Sequence, residues 1–253
     1  MHGDLPPVLS YASERSLELG SLVRVPLGSR EVMGIVWQEQ ASALQVLPSA
    51  LKPIAMCFDT FAPLSAAWRE LVQFSARYYQ RSLGEVALAA LPPQLRDFDA
   101  LRGSRRRSIK LADSSAQDAA PDATDFIALS AEQTRAIDQF FDEKESLKPA
   151  LLFGSTGSGK TEVYLRSVQR VLEQSAHAQV LVMVPEINLT PQLQSRFAAR
   201  FGAQQIVTLH SAMTPAQRLR AWLLAHSGQA RIVLGTRMSI FASMPQLRLI
   251  VVD

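Results

Sequence analysis

Residues 154–161 read GSTGSGKT and satisfy the spacing G-x-x-x-x-G-K-[ST] at every required position. The apolar run LLF precedes them at residues 151–153, and an amphipathic helical pattern follows from residue 160 to residue 174. A strand, a glycine-rich turn and a helix in that order form a loop whose backbone N–H groups bind phosphate. A glycine- and serine-rich turn with a chance lysine is the alternative, which the full match disfavours. We therefore predict a nucleotide-binding loop.

The residue types in this loop suit ATP and Mg²⁺. Glycine lets the backbone curl so that successive amides point inward. Lys160 would reach the β- and γ-phosphates as a compact cation, and the Thr161 hydroxyl would ligate the Mg²⁺ that bridges them. The predicted cofactor-binding residues of the loop are Gly154, Ser155, Thr156, Gly157, Ser158, Gly159, Lys160 and Thr161.

An acid at the end of a neighbouring apolar strand would complete the magnesium site. Residues 249–253 read LIVVD, so Asp253 follows four apolar residues. An aspartate in this position holds Mg²⁺ in P-loop enzymes. Any buried strand can end in aspartate, but this one follows the loop within one α/β pattern. We predict Lys160, Thr161 and Asp253 as catalytic residues, with Thr161 and Asp253 on the metal.

Helical and strand patterns alternate after residue 128. Helices are predicted at residues 131–141, 160–174, 192–201 and 215–226, and strands at residues 150–153, 180–184, 206–209, 232–234 and 249–252. Apolar strands separated by amphipathic helices indicate an α/β fold with a parallel sheet covered on both faces.

A change of composition divides the chain. Residues 102–110, RGSRRRSIK, give way to an Ala/Ser/Asp-rich stretch without apolar periodicity. We therefore predict a small domain at residues 1–100, a linker at residues 101–128 and a second domain at residues 129–253. The first domain should hold a β-hairpin at residues 22–26 and 31–37, and two helical pieces between residues 64 and 90, broken at Gly84.

The overall composition fits a globular chain. Of 253 residues, 47% are hydrophobic, and no apolar run approaches the ~18 residues that span a bilayer. The single cysteine, Cys57, excludes an internal disulfide and a Cys-rich zinc site built from this sequence alone. We expect a reducing, cytoplasmic setting. The net charge of +3 arises in the first 110 residues, with 13 Lys+Arg and 10 Asp+Glu, and permits a nucleic-acid partner.

From residue 129 onward the sequence resembles the first motor lobe of the superfamily 2 helicases, and in particular the family of primosomal replication-restart helicases. The stretches that carry the resemblance are LSAEQTRAI at 129–137, GSTGSGKTEVYL at 154–165, LVMVPEINLTPQL at 181–193, LHSAMTPAQRLRAW at 209–222 and IVLGTRMSIF at 232–241. Residues 17–36 and 68–96 resemble the family's N-terminal DNA-binding domain. The resemblance implies a RecA-like motor lobe preceded by a small β-containing DNA-binding domain.

The resemblance also implies roles for single residues. Gln133 would contact the adenine edge, where the alternative is an exposed residue at a helix start. Segments such as Val184-Pro185-Glu186 and Gly235-Thr236-Arg237 line a single-strand track in the family. The predicted DNA-binding residues are therefore Pro185, Glu186, Gly235, Thr236 and Arg237.

Other aromatic and polar residues have open interpretations. Tyr78 and Tyr79 are either a buried aromatic pair or a base-stacking pair. Leu9-Ser10-Tyr11 is the nearest match to the family's pocket for a DNA 3′ end. His210 is expected to be structural, because neither a partner acid nor a nucleophile can be assigned to it.

By resemblance, the function is that of an ATP-dependent 3′-to-5′ DNA helicase of replication restart, which binds stalled or abandoned forks and helps to assemble the primosome. Its partners would be forked and single-stranded DNA, primosome proteins and single-stranded-DNA-binding protein, without a membrane. The family continues past the position of Asp253 with a glutamate, a zinc module and a second lobe. We therefore expect motor lobe 1 truncated at this aspartate, and negligible ATP turnover by these residues alone. The alternatives are another P-loop ATPase or kinase, and a non-catalytic DNA-binding or assembly module.

Overall fold

The computed structural model of the protein describes residues 9–38, 51–96, 128–141, 149–155, 157–185 and 190–253. These residues form an N-terminal unit, residues 9–96, built on a small antiparallel sheet, and a C-terminal unit, residues 128–253, built on a parallel sheet. The linker predicted at residues 101–128 lies outside the described residues, apart from Ala128.

The predicted hairpin is confirmed in the N-terminal unit. Strands β1 (Leu22–Leu27) and β2 (Arg30–Ile35) pair antiparallel around a turn in which Gly28 has a φ of 63°. A two-residue strand, β3 (Met56–Cys57), pairs with the other edge of β1. The sequence did not predict β3, because a strand of two residues is too short to show an alternation of apolar and polar residues.

Three helices cover this sheet: α1 (Ala66–Tyr78), α2 (Leu83–Ala90) and α3 (Pro93–Arg96). The break that was predicted at Gly84 lies earlier, between Tyr78 and Leu83. The reason is the Ser82 side chain, which accepts a hydrogen bond from the Glu85 N–H and so begins α2 one residue later, with Gly84 inside its first turn. The two helical pieces are thus confirmed, but their boundary was wrong.

The described residues of the C-terminal unit form four further helices and four strands. They are α4 (Ala131–Phe140), α5 (Lys160–Gln174), β4 (Gln179–Met183), α6 (Pro191–Phe201), β5 (Ile206–Leu209), α7 (Pro215–His226), β6 (Ile232–Gly235) and β7 (Leu247–Val252). The strand order is β5-β6-β4-β7, and every neighbouring pair is parallel. The predicted parallel sheet is therefore confirmed. A short 3₁₀ helix, Arg237–Phe241, was not predicted.

One predicted strand is wrong. Residues 150–153 make no ladder, and the side chains of Leu151 and Phe153 are 90% and 93% exposed. An apolar run becomes a strand only when a neighbouring strand accepts its backbone hydrogen bonds. In the described part of the chain, β7 is the last strand on that side of the sheet, and residues 150–153 do not pair with it.

Helix caps and one buried polar side chain stabilise the C-terminal unit. Thr214 caps α7 in a reciprocal arrangement with Gln217, and Pro215 takes the first helical position. The fully buried amide of Gln179 donates to the carbonyls of Ala225 and Ala230 and accepts from the N–H of Gln246. Because all its groups are paired, this amide ties β4 to the ends of α7 and β7 without a desolvation cost.

The two units pack directly against each other. The Trp68 indole on α1 donates to the Phe241 carbonyl at 2.9 Å. His226, at the end of α7, contacts the Ala62 carbonyl through Nε2 at 2.9 Å and the Ser243 hydroxyl through Nδ1 at 2.8 Å. Trp222 stacks on His226 and joins the apolar core of the N-terminal unit. These contacts fix the unit beside α7 and the 3₁₀ helix.

In the described ranges, every helix is too short or too polar to cross a membrane.

Candidate functional site

The glycine-rich loop leads directly into α5. Gly157 and Gly159 have φ values of 82° and 81°, a left-handed conformation that side chains disfavour. Gly159 is the residue before the first turn of α5, so the N–H groups of that turn face the loop. A Cβ on Gly154 would lie 2.6 Å from the Ser158 hydroxyl. The glycines therefore stand where the curled backbone requires them, and the loop ends at a helix N-terminus suited to anions.

Lys160 is folded back onto the loop. Its Nζ donates to the carbonyls of Gly154 at 2.8 Å and Ser155 at 2.9 Å. These carbonyls hold the ammonium group beside the loop, and a phosphate would compete with them for its protons.

Gln133 lies against the same loop. Its side-chain oxygen accepts from the Ser130 N–H in the capping box that begins α4, and its amide nitrogen donates to the carbonyls of Ser158 and Gly159. A Cβ on Gly159 would lie 2.3 Å from that nitrogen. Gln133 is thus more than an exposed residue at a helix start, because it joins α4 to the loop.

Thr161 and Asp253 share a neighbour, Tyr164. Burial raises the pKa of the Tyr164 hydroxyl, a hydrogen bond with Thr161 lowers it, and the negative charge of Asp253 raises it. The Thr161 hydroxyl is therefore a hydrogen-bond partner of the Tyr164 phenol, and the Asp253 carboxylate is near enough for its charge to act on that phenol. Tyr164 was not among the predicted site residues, although its spacing of three from Thr161 puts both on one helix face.

The strand ends lie at one edge of the sheet. The Asp253 N–H donates to the Met183 carbonyl, and the Val184 N–H donates to the Gly235 carbonyl, both at 2.9 Å. The segments after β4, β6 and β7 therefore leave the sheet side by side. Ligands of open parallel sheets bind at this edge.

The side chains of the predicted DNA-binding segments differ in their exposure to solvent. Arg237 and Pro185 are exposed, whereas Thr236 is buried. A Cβ on Gly235 would lie 2.3 Å from the Ser239 Cβ and 2.8 Å from the Leu209 carbonyl oxygen. Gly235 and Thr236 therefore shape the turn after β6, and Arg237 is the member whose side chain faces solvent.

Two predicted residues, Thr156 in the loop and Glu186 after β4, lie outside the described residues.

In the N-terminal unit, the Tyr11 hydroxyl donates to the Pro26 carbonyl at 3.0 Å. Tyr78 and Tyr79 are 70% and 69% exposed, so the buried-pair interpretation was wrong. Helical spacing did not reveal this, because an aromatic stripe can face either side of a helix.

The parallel sheet, the loop and the helix after it define a P-loop NTPase motor lobe of the RecA-like class. Residues 130–253 match the family model of the DEAD/DEAH box helicases, and residues 2–92 match that of the 3′ DNA-binding domain of PriA.

Two of the curated relatives match nearly the whole chain, and a third matches less than half of it. The replication restart protein PriA of Haemophilus influenzae is 30% identical over 98% of this chain and 42% of its own length. PriA of Treponema pallidum is 34% identical over 93% of this chain and 34% of its own length. PriA of Bacillus subtilis is 41% identical over 44% of this chain and 13% of its own length. The chain thus spans well under half the length of these relatives, and it belongs to the PriA family of replication restart proteins.

Proposed function

We propose that the protein acts as an ATP-dependent 3′-to-5′ DNA helicase of replication restart. The observation that carries the proposal is a glycine-rich loop curled against the N-terminus of α5, together with the ends of β4, β6 and β7 lying side by side at the sheet edge that also presents Arg237. In this proposal residues 129–253 form motor lobe 1, residues 1–100 bind DNA, and residues 101–128 link them.

The residues of the loop suit Mg-ATP. The curled backbone and the N-terminus of α5 would bind the phosphates, and Lys160 would exchange the carbonyls of Gly154 and Ser155 for phosphate oxygens. The hydroxyl of Thr161 and the carboxylate of Asp253 are the hard oxygen ligands that Mg²⁺ prefers. The bound ion would neutralise charge on the phosphates. Gln133, beside Gly159, would extend the site toward the base.

DNA binding would use the same edge of the sheet and the N-terminal unit. Arg237 offers a guanidinium group to a phosphate, and Pro185 borders the path after β4. The buried Gly235 and Thr236 would hold the turn that presents Arg237. Stalled or abandoned forks are the proposed substrate, and primosome proteins and single-stranded-DNA-binding protein are the proposed partners in a cytoplasmic setting. The zinc expected in the family would belong to its zinc module, and the described residues hold no group of three side chains suited to a metal ion.

Calorimetry with Mg-ATP tests the nucleotide site. We expect weak binding by the unaltered protein, no detectable binding by Lys160→Ala, and unchanged binding by the control Lys52→Ala, which removes an exposed lysine. Equal affinity for the Lys160 variant would show that this lysine does not bind phosphate.

Titration with forked and single-stranded DNA tests the second half of the proposal. Affinity should fall steeply as salt rises, since each neutralised phosphate releases counterions. Arg237→Ala should weaken binding and make the salt dependence shallower. Nucleotide binding with no DNA binding would favour another P-loop ATPase or kinase, whereas DNA binding without nucleotide binding would favour a non-catalytic assembly module.

A further inference from the structure

A cleft of about 320 Å³ lies between the two units. One wall comes from the end of α2 and the start of α3, including Pro92 and Pro93, and the other comes from α7 and the 3₁₀ helix after β6. The contacts of Trp68 with Phe241 and of His226 with Ala62 hold these walls in place. Its volume is at the lower end of the ~300–1,000 Å³ that small-ligand clefts occupy.

The cleft opens where β5 and β6 end. Leu209 is the last residue of β5 and lines the cleft together with His210, which follows it. Met238, which also lines it, directly follows the exposed Arg237. A DNA strand bound at Arg237 would therefore pass the mouth of the cleft within one residue of the guanidinium group.

The lining combines apolar walls with positive charge. Met238 is 66% exposed, and the half-buried Phe241 and the exposed Pro93 add apolar surface. Arg96 and Arg218 contribute guanidinium groups, and Arg218 is fixed by a hydrogen bond to the Ser211 carbonyl at 3.2 Å. None of the lining residues in the described part of the chain is acidic. An apolar ring attached to a phosphate would satisfy both the walls and the charges.

Trp222 adds a buried donor to this lining. Its side chain is 3% exposed, and its indole N–H has no acceptor in the described part of the chain. A buried N–H without a partner is costly. The ring of Trp222 therefore contributes apolar surface to the cleft, while its N–H stays shielded from solvent.

We propose that this cleft holds one unpaired base of the single-stranded DNA, with the adjoining phosphates on Arg96 and Arg218. The proposal rests on the DNA binding proposed above and deepens it, because it gives the bound strand a fixed register between the motor lobe and the N-terminal unit. Met238, Phe241 and Pro93 would contact the base without reading its identity. The site would therefore accept any base, in keeping with binding that is independent of sequence.

The test uses a DNA hairpin with a single-stranded overhang, whose duplex fixes the register, and a series of overhangs that each lack one base. We expect one abasic position to weaken binding about tenfold in the unaltered protein. In Met238→Ala the loss of affinity at this abasic position should be no larger than the loss at the other positions. Arg96→Ala should weaken binding to all the overhangs, and the matched control Arg30→Ala, an exposed arginine of the same unit that does not line the cleft, should weaken it less.

The outcomes separate the two proposals. DNA binding with equal affinity for every abasic overhang would overturn the base-holding cleft and leave the DNA-binding function standing. An abasic pattern that survives unchanged in Met238→Ala would also overturn it, because the sensitive base would then lie elsewhere. No binding of any overhang by the unaltered protein would overturn the DNA-binding function, and the cleft proposal with it.

Discussion

The carboxylate of Glu162 accepts a hydrogen bond from Nη1 of Arg200 at 2.8 Å, and this ion pair joins α5 to α6. The same carboxylate contacts Arg166 at 3.0 Å, and Nη2 of Arg200 donates to Gln169. The helix that begins at the phosphate loop is therefore tied to the helix that follows the Pro185 segment. A displacement of either helix would therefore move the other.

The first prediction concerns the stability of this joint. Arg200→Met keeps most of the apolar stem but removes one of the two arginine partners of Glu162, which retains Arg166, and removes the donor to the Gln169 side-chain oxygen. Because the two charged side chains are only 12% and 18% exposed, the free energy of unfolding should fall by about 2 kcal/mol in urea titrations. Arg81→Met is the control, since its ion pair with Glu85 is exposed and should be worth less than about 0.5 kcal/mol. Equal losses in the two variants would contradict the prediction.

The second prediction concerns the conformation of the loop. Gly159→Ala forces a side chain into a left-handed conformation and against the amide of Gln133. Unfolding free energy should drop by about 1–2 kcal/mol, and Mg-ATP binding should weaken. Gly84→Ala is the opposite case, because it lies in a helix with open space around its Cα and should gain up to about 0.5 kcal/mol. A stable, fully binding Gly159 variant would show that the curl is not required.

The third prediction isolates a hydrogen bond between the two units. Trp68 and Trp222 are equally buried, but Trp68 donates to Phe241 and Trp222 has no acceptor in the described part of the chain. Replacing either tryptophan by phenylalanine leaves a similar void, so the difference between the variants reports the hydrogen bond. Trp68→Phe should be less stable than Trp222→Phe by about 1 kcal/mol in thermal or urea unfolding. The reverse order would mean that the Phe241 carbonyl finds another donor.

The fourth prediction concerns pH. The Ala62 carbonyl can only accept, so Nε2 of neutral His226 carries the proton and Nδ1 accepts from Ser243. Burial lowers the pKa of His226, while the hydrogen bond to Ala62 acts in the opposite direction. As pH falls below about 6.5, the unfolded chain takes up a proton that the folded chain resists. The free energy of unfolding should therefore decrease as the pH falls below this value.

Unfolding measured between neutral and mildly acidic pH checks this expectation. His226→Gln retains a donor for Ala62 but cannot titrate, so its stability should depend less on pH over this interval. His177→Gln, which removes an exposed histidine, should follow the unaltered protein. An identical pH profile for His226→Gln would assign the acid sensitivity to other groups.

Local signals predicted most of the fold. The bounds of α5 and α7 could be predicted because a glycine or a Thr-Pro pair marks each start, and amphipathic periodicity continues to each end. The pairing of residues 150–153 could not, because a strand depends on a neighbour that its own sequence does not contain. The cleft between the two units could not be predicted either, because Pro92 and Met238 come together only in the folded chain.

One side of β7 has no partner strand among the residues that the structure describes, and this has a practical consequence. Ile250 and Val252 are 45% and 71% exposed, and Leu151 and Phe153 before the phosphate loop are more exposed still. Free backbone donors beside bare apolar side chains promote aggregation by strand addition. We therefore expect light scattering to rise with protein concentration, and a lysine at position 151 or 252 to keep the sample monodisperse for biochemical work.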